Sequence, residues 1–254
     1  SVLLGKITEF LFYLWQLYKI GYRYKFLLSV KEFDHKSFFR TMHGTLLYVG
    51  STQTYIVILT AGISFLPDGT LAIFKYVQGL SNKIKGLFVQ PFLTVFFTTY
   101  SSLLNSFKDV KKEFQRYFNG IININVIVIV GSIMVGDVII SLLWGSEKFS
   151  NASIYRSYQF LIFNIISILF ISIGSVYRKM AITKGKGYEL YSKWTLVQLT
   201  SAGICYFLLK EFEVYGLMLM IPLNSFFMGI VSYLVYIKTK QPIRYNIFNK
   251  NILY

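Results

Sequence analysis

The chain has 254 residues, of which 54% are hydrophobic, 19% aromatic and only 15% charged. This composition is too apolar for a water-soluble domain of that length, so we expect the chain to fold in a lipid bilayer. A formal charge of +15 would suit a nucleic-acid-binding protein only if the Lys and Arg residues clustered on a soluble face. Here they stand between apolar stretches, so nucleic acid is not an expected partner.

Apolar stretches long enough to cross a bilayer recur along the whole sequence. A hydrocarbon core about 30 Å thick requires about 20 apolar residues in a helix, which satisfies its own backbone hydrogen bonds. The sequence therefore predicts an all-α fold, a polytopic membrane helix bundle with about seven spans. Pro91 and Pro222 fall inside the third and seventh spans and are expected to kink them. The predicted spans are residues 2–22, 44–66, 70–104, 117–144, 155–177, 194–209 and 215–237.

Basic residues are unequally shared between the two sides of these spans. Short cytoplasmic loops retain Lys and Arg, because translocation of positive charge opposes insertion. Eighteen basic residues fall in one set of alternate connections, whereas the opposite set holds only Lys148 and Lys210. We therefore expect a multi-pass protein of the inner (cytoplasmic) membrane with its C-terminus in the cytoplasm. The eighteen lie in residues 23–43, 105–116, 178–193 and 238–254.

The third predicted span carries a group of polar residues on one side. Lys75, Gly79 and Lys83 share one helical face, called here the cationic stripe, and Lys85 lies beside it. Lipid tails would not tolerate such a face, so it is predicted to border a water-filled cavity and to bind a ligand with phosphate groups. Alternatively, this part of the span is an exposed amphipathic segment whose lysines only contact solvent. The candidate substrate-binding residues are Lys75, Lys83, Lys85, Gln78 and Asn82.

Asp137 is a carboxylate deep in an apolar stretch, which makes it a functional candidate. It lies about 10 Å from the outer end of its predicted span, within reach of Arg156 at the same end of the next helix. The two residues are therefore candidates for ion coupling or for a structural ion pair.

The sequence contains no motif that indicates catalysis or a cofactor. It has no nucleophile elbow, no His-Glu-x-x-His zinc motif and no phosphate-binding loop. His35 and His43 lack metal-ligand spacing, and the single cysteine, Cys205, lies in an apolar stretch. We therefore expect a protein that is not an enzyme and that has no cofactor and no metal.

The start of the third span resembles a motif of a known transporter superfamily. Residues 65–72 read Phe-Leu-Pro-Asp-Gly-Thr-Leu-Ala, and Tyr76, Leu80, Gly86 and Pro91 follow. This resembles the multidrug, oligosaccharidyl-lipid and polysaccharide exporter superfamily, especially its lipid II flippase and polysaccharide flippase branches. In those branches a Leu-Pro-x-Gly turn precedes a span containing Tyr-Ala-x-x-Leu. Further similarity lies at residues 142–149, 176–178 and 216.

Two departures leave the substrate branch open. Gly79 stands where the lipid II branch commonly has Arg, with Lys75 and Lys83 one turn to either side, and Val77 replaces the Ala of the motif. The substrate implied by the resemblance is therefore lipid II or another polyprenyl-linked oligosaccharide.

The resemblance also implies a domain organisation, because the superfamily encloses a central cavity between two six-helix lobes. Residues 1–29 correspond to the last helix of a first lobe with a cytoplasmic linker, 30–240 to a six-helix second lobe, and 241–254 to a basic cytoplasmic tail. The implied function is a flippase that moves the lipid-linked glycan by alternating access. Its expected partners are this glycan, the bilayer and a missing N-terminal transporter lobe. The alternatives are a drug or metabolite antiporter coupled through Asp137, and a noncatalytic membrane scaffold derived from one lobe.

Overall fold

The computed structural model describes residues 2–22, 35–104, 110–145 and 150–239, and every regular element in these ranges is helical. This confirms the predicted all-α membrane helix bundle. The predicted linker after the first helix and the predicted tail at 241–254 lie outside the described residues. The helices are α1 (Val2–Lys19), α2 (His35–Ile63), α3 (Thr70–Ile84), a π-helical turn (Lys85–Val89), α4 (Gln90–Leu104), α5 (Val110–Trp144), α6 (Asn151–Thr183) and α7 (Gly187–Ile237).

The chain divides into two compact units, Ser1–Phe38 and Phe39–Tyr254. In the first unit, the ammonium of Lys6 and the carboxylate of Glu9 form an exposed ion pair one turn apart at 2.6 Å. The second unit contains the remainder of α2 and helices α3 to α7. The assignment of these parts to two transporter lobes stays a prediction.

The helix lengths suit a multi-pass membrane protein. α7, with 51 residues, would extend about 75 Å as one straight helix, more than twice the hydrocarbon thickness of about 30 Å. Each of the seven predicted apolar runs coincides with helix to within a few residues. Among the described residues, four helices are long and apolar enough to cross a bilayer, namely Phe38–Ile63, Phe114–Trp144, Asn151–Thr183 and Gly187–Ile237.

Helix α7 folds back on itself at Glu213, whose φ of 49° and ψ of −123° are not helical. A Cβ placed on Gly216 would clash with the carbonyl oxygen of Leu208. The indole Nε1 of Trp194 donates a hydrogen bond to the carbonyl of Met228 at 3.2 Å. Residues so far apart in sequence cannot meet in a straight helix. α7 is therefore a hairpin of two arms, 187–212 and 214–237, which correspond to the sixth and seventh predicted spans.

Helices α3 and α4 form one continuous helix that is irregular directly before Pro91. The π turn Lys85–Val89 joins them, and the N–H of Gln90 donates to the carbonyl of Lys85, five residues earlier. Pro91 has no N–H, and its ring would clash with the carbonyl four residues before it in a regular α-helix. The wider π turn relieves this clash, so the predicted distortion at Pro91 takes the form of a π turn.

Helix α6 is the centre of the second unit. In its most apolar stretch 61% is buried, against 22% in the corresponding stretches of α2 and α5, so those two helices keep large apolar faces for lipid. Polar faces of α3, α6 and the second arm of α7 face one another inside the unit. Aromatic pairs join α6 to its neighbours, namely Phe74–Phe160 with α3, Phe118–Tyr177 with α5 and Phe170–Phe226 with the second arm of α7.

Candidate functional site

A polar face of the helix 70–104 lines a cavity of about 190 Å³ inside the second unit. Gln78, Asn82 and Lys85 follow one another at spacings of four and three residues, which place them on one side of the helix. Three of the five predicted substrate-binding residues are thereby brought together, opposite α6 and the second arm of α7. The other polar residues that line this first cavity are Ser81, Asn164, Ser167, Asn224 and Ser225.

Lys75 and Lys83 lie on the neighbouring face of the same helix, where both are exposed, and they do not line the first cavity. A Cβ added to Gly79, between them, would meet no atom of the described residues within 4 Å, so the cationic stripe is open in this part of the structure. Asn82 is exposed and also lines the cavity. The stripe and the cavity therefore form one continuous polar surface, and the binding roles of all five residues stay predictions.

The first cavity is lined partly by polar atoms that have no hydrogen-bond partner. On α6, Nδ2 of Asn164 donates to the carbonyl of Phe160 at 2.9 Å, and Oγ of Ser167 donates to the carbonyl of Asn164 at 2.6 Å. By contrast, Oγ of Ser81 and Oδ1 of Asn224 are buried without a partner in the described part of the chain. Buried polar atoms of this kind destabilise a fold unless water or a ligand binds them, so the cavity suits a polar occupant.

A second cavity, of about 220 Å³, continues from the first towards the C-terminal end of α6. The two cavities share Ile171, Asn224 and Ser225. Arg178 and Trp194 line only the second one, and the guanidinium carbon of Arg178 lies 5.4 Å from the centre of the Trp194 ring. The polar interior of the unit thus extends along α6 through both cavities.

Two cations border these connected cavities. Lys85 lines the first cavity and Arg178 the second, and they are near enough for their positive charges to repel each other. Neither forms an ion pair with a carboxylate among the described residues. Unpaired cations in the interior of a membrane protein commonly mark ligand or ion pathways.

Sequence reasoning missed the position of Arg178, because it ended the fifth span at residue 177 and counted Arg178 with the cytoplasmic loop. Helix α6 continues to Thr183, which carries Arg178 more than one turn inside it. The helix stops before Gly185, whose φ of 76° is the left-handed conformation typical of a glycine after a helix end. Gly185 was the signal in the sequence that could have placed the boundary correctly.

Asp137 and Arg156 do not form the ion pair that their predicted depths allowed. Asp137 is exposed, and its Oδ1 accepts a hydrogen bond from the backbone N–H of Val138 at 2.8 Å. Arg156 is half-buried near the start of α6, and no ion pair joins the two in the part of the chain that the structure describes. A role for either residue in ion coupling stays a prediction.

A wider cavity of about 1050 Å³ lies between the end of α2, the turn that follows it and the hairpin bend of α7. Asp68, Lys210 and Glu213 are its charged residues, and it contains none of the predicted substrate-binding residues. No group of three or more His, Cys, Asp or Glu side chains that could hold a metal ion occurs within the described ranges. The first cavity therefore remains the place where the predicted polar groups converge.

A protein-family model described as "Lipid II flippase MurJ" matches residues 1–253. Neither a curated protein nor a solved structure matches the chain. The matched range includes both cavities and the whole cationic stripe.

Proposed function

The chain belongs to the lipid II flippase MurJ family, and from this premise we propose that the polar face of the helix 70–104 binds the headgroup of a lipid-linked glycan during its passage across the bilayer. The family moves lipid II, a lipid-linked oligosaccharide, across the membrane. Such a function suits a multi-pass bundle of apolar helices and requires no catalytic group. The observation that carries the proposal is the convergence of Gln78, Asn82 and Lys85 on one cavity inside the bundle.

The chemistry of these side chains matches the two kinds of polar group in such a headgroup. An ammonium, as in Lys85, forms charge-assisted hydrogen bonds with phosphate oxygens. The amides of Gln78 and Asn82 both donate and accept hydrogen bonds, as sugar hydroxyls require. In the low dielectric of the bundle interior, attraction between the lysine and a phosphate is stronger than in water. The proposal therefore assigns the phosphates to lysines and the sugar to the amides.

The open cationic stripe supports alternating access as the mechanism. Lys75 and Lys83 are exposed on the second unit, and lysines at this depth are poorly tolerated by lipid tails. The proposal places this stripe on a water-filled cavity that a further transporter lobe completes, so that rocking of two lobes exposes the site to either side. The excess of basic residues in one set of connections supports an inner-membrane location with the C-terminus in the cytoplasm.

A flipping assay with labelled lipid II in proteoliposomes tests the proposal. Lys85→Gln, and Lys75→Gln combined with Lys83→Gln, should each lower the flipping rate by about tenfold or more, because each removes charge-assisted hydrogen bonds to phosphate. Lys184→Gln removes the same charge from an exposed turn after α6 and should leave the rate unchanged. Normal flipping by both sets of variants, at equal amounts of inserted protein, would overturn the assigned roles.

A further inference from the structure

We propose that the second cavity, between α2, α6 and the two arms of α7, is a binding site for a phosphate-class anion, separate from the substrate-binding face proposed on the helix 70–104. Arg178, Gln198 and Asn224 supply its polar contacts. The inference rests on the residues that line this cavity, of which Asn224 also lines the first one. Its test measures anion binding rather than transport, so either proposal can fail without the other.

The first argument is the charge of Arg178. Its guanidinium packs over the ring of Trp194, whose position is fixed by the hydrogen bond from Nε1 to the carbonyl of Met228. A guanidinium that stacks on an aromatic ring keeps the N–H donors at its edge available for an oxyanion. No carboxylate among the described residues neutralises this cation, and the charge of Lys85 adds to the positive potential nearby. An anion is therefore the occupant that the electrostatics favour.

The second argument is the presence of polar side chains that need a ligand. Gln198 is only 4% exposed and lines the cavity one helical turn after Trp194, and its Oε1 has no hydrogen-bond partner among the described residues. Oδ1 of Asn224, in the same lining, is also buried and has no partner in this part of the chain. An amide can turn by 180° about its terminal bond and present N–H₂ in place of its oxygen. Both amides can thus donate to an anion held by Arg178.

The size of the cavity decides which anions fit. Its volume of about 220 Å³ corresponds to about seven water molecules at about 30 Å³ each. Phosphate or diphosphate fits this space. The anion therefore comes from solution as inorganic phosphate or diphosphate, or reaches the cavity as the phosphate end of a lipid.

Thermal unfolding of the whole chain in nanodiscs of zwitterionic lipid tests the site. Sodium pyrophosphate should raise the Tm saturably, because a ligand that binds the folded state stabilises it, and potassium gluconate at equal ionic strength should not. Arg178→Gln should raise the half-saturating pyrophosphate concentration by about tenfold or more. Lys179→Gln is the matched control, because it removes an adjacent exposed charge that lies over the Phe97 ring and outside the cavity. This variant should bind pyrophosphate like the unchanged chain.

A second variant and a second source of anion complete the test. Gln198→Glu places a carboxylate in the cavity with Arg178, so it should raise the Tm without added anion and abolish the rise with pyrophosphate. Nanodiscs that contain polyprenyl diphosphate, without dissolved phosphate, should raise the Tm if the lipid headgroup reaches the site. A rise with pyrophosphate alone assigns the site to a dissolved anion. The proposal is overturned if neither pyrophosphate nor polyprenyl diphosphate raises the Tm. It is also overturned if Arg178→Gln and Lys179→Gln weaken pyrophosphate binding equally.

Discussion

Gly174 of α6 and Gly229 of the second arm of α7 bring two helix backbones into contact, since a Cβ built on Gly174 would lie 2.9 Å from the Cα of Gly229. Small residues permit such close approach between membrane helices. Both glycines also line the second cavity. The separation of α6 and α7 at this contact therefore sets the width of the cavity as well as the stability of the bundle.

Gly174→Ala should destabilise the protein, because the added methyl group meets backbone that can move only with its helix. Overpacking of this kind lowers the free energy of unfolding by about 1–3 kcal/mol, measurable by denaturant or thermal unfolding in detergent. Gly203→Ala lies at an exposed position in the first arm of α7, where no atom of the described ranges is within 4 Å of the new Cβ. It should be neutral or stabilise by up to about 1 kcal/mol through helix propensity. Equal effects of the two changes would contradict the close contact.

Glu213→Gly should stabilise the protein by about 1 kcal/mol, measured as a rise in Tm. Glu213 has a φ of 49°, a conformation that glycine adopts readily and other residues adopt at a cost. Glu211→Gly provides the comparison, because this exposed residue lies in regular helix two positions earlier. There the same substitution should destabilise by about 1 kcal/mol. A fall in Tm with both changes would show that Glu213 is not strained.

The separation of the α7 hairpin into two spans could be predicted from the sequence. Lys210, Glu211 and Glu213 interrupt an otherwise apolar stretch, and charges of that density do not remain in a hydrocarbon core. The sharpness of the reversal could not be predicted, because it depends on one residue with positive φ that is not glycine. Tertiary packing imposes this conformation against the local preference of the chain.

The candidate site could be predicted only in part, for a different physical reason. Helical periodicity identifies residues that share a face, so it grouped Lys75 with Lys83 and placed Lys85 beside them. It does not identify which face a neighbouring helix covers. The first cavity lies on the side of Lys85 because Asn164 of α6 and Asn224 of α7 are opposite it. The order of helices around the bundle determines that choice, and a single sequence does not encode it in a readable pattern.

The hydrogen bond between Asn125 of α5 and Ser172 of α6 should contribute modestly to stability. Oγ of Ser172 lies 3.3 Å from Oδ1 of Asn125, and both side chains are buried. The same hydroxyl also donates to the carbonyl of Ile168 at 2.6 Å, so its one proton is shared between two acceptors. Hydrogen bonds between membrane helices contribute on average about 0.6 kcal/mol, because alternative partners are available in the unfolded state. A double-mutant cycle with Asn125→Ala and Ser172→Ala should give a coupling energy of about this size. A coupling energy indistinguishable from zero would show that the contact is only steric.

The orientation of the bundle can be tested by thiol labelling, because the one native cysteine should contribute little background labelling. Cys205 is buried, so a membrane-impermeant maleimide should label it poorly even without its replacement. Asp68→Cys lies in the exposed turn between α2 and α3, and Lys184→Cys lies in the exposed turn between α6 and α7. The excess of Lys and Arg on the side of residue 184 predicts that this turn faces the cytoplasm. Intact cells should therefore label Asp68→Cys at once and Lys184→Cys only after permeabilisation, whereas the reverse pattern would show that the positive charges do not set the orientation of this chain.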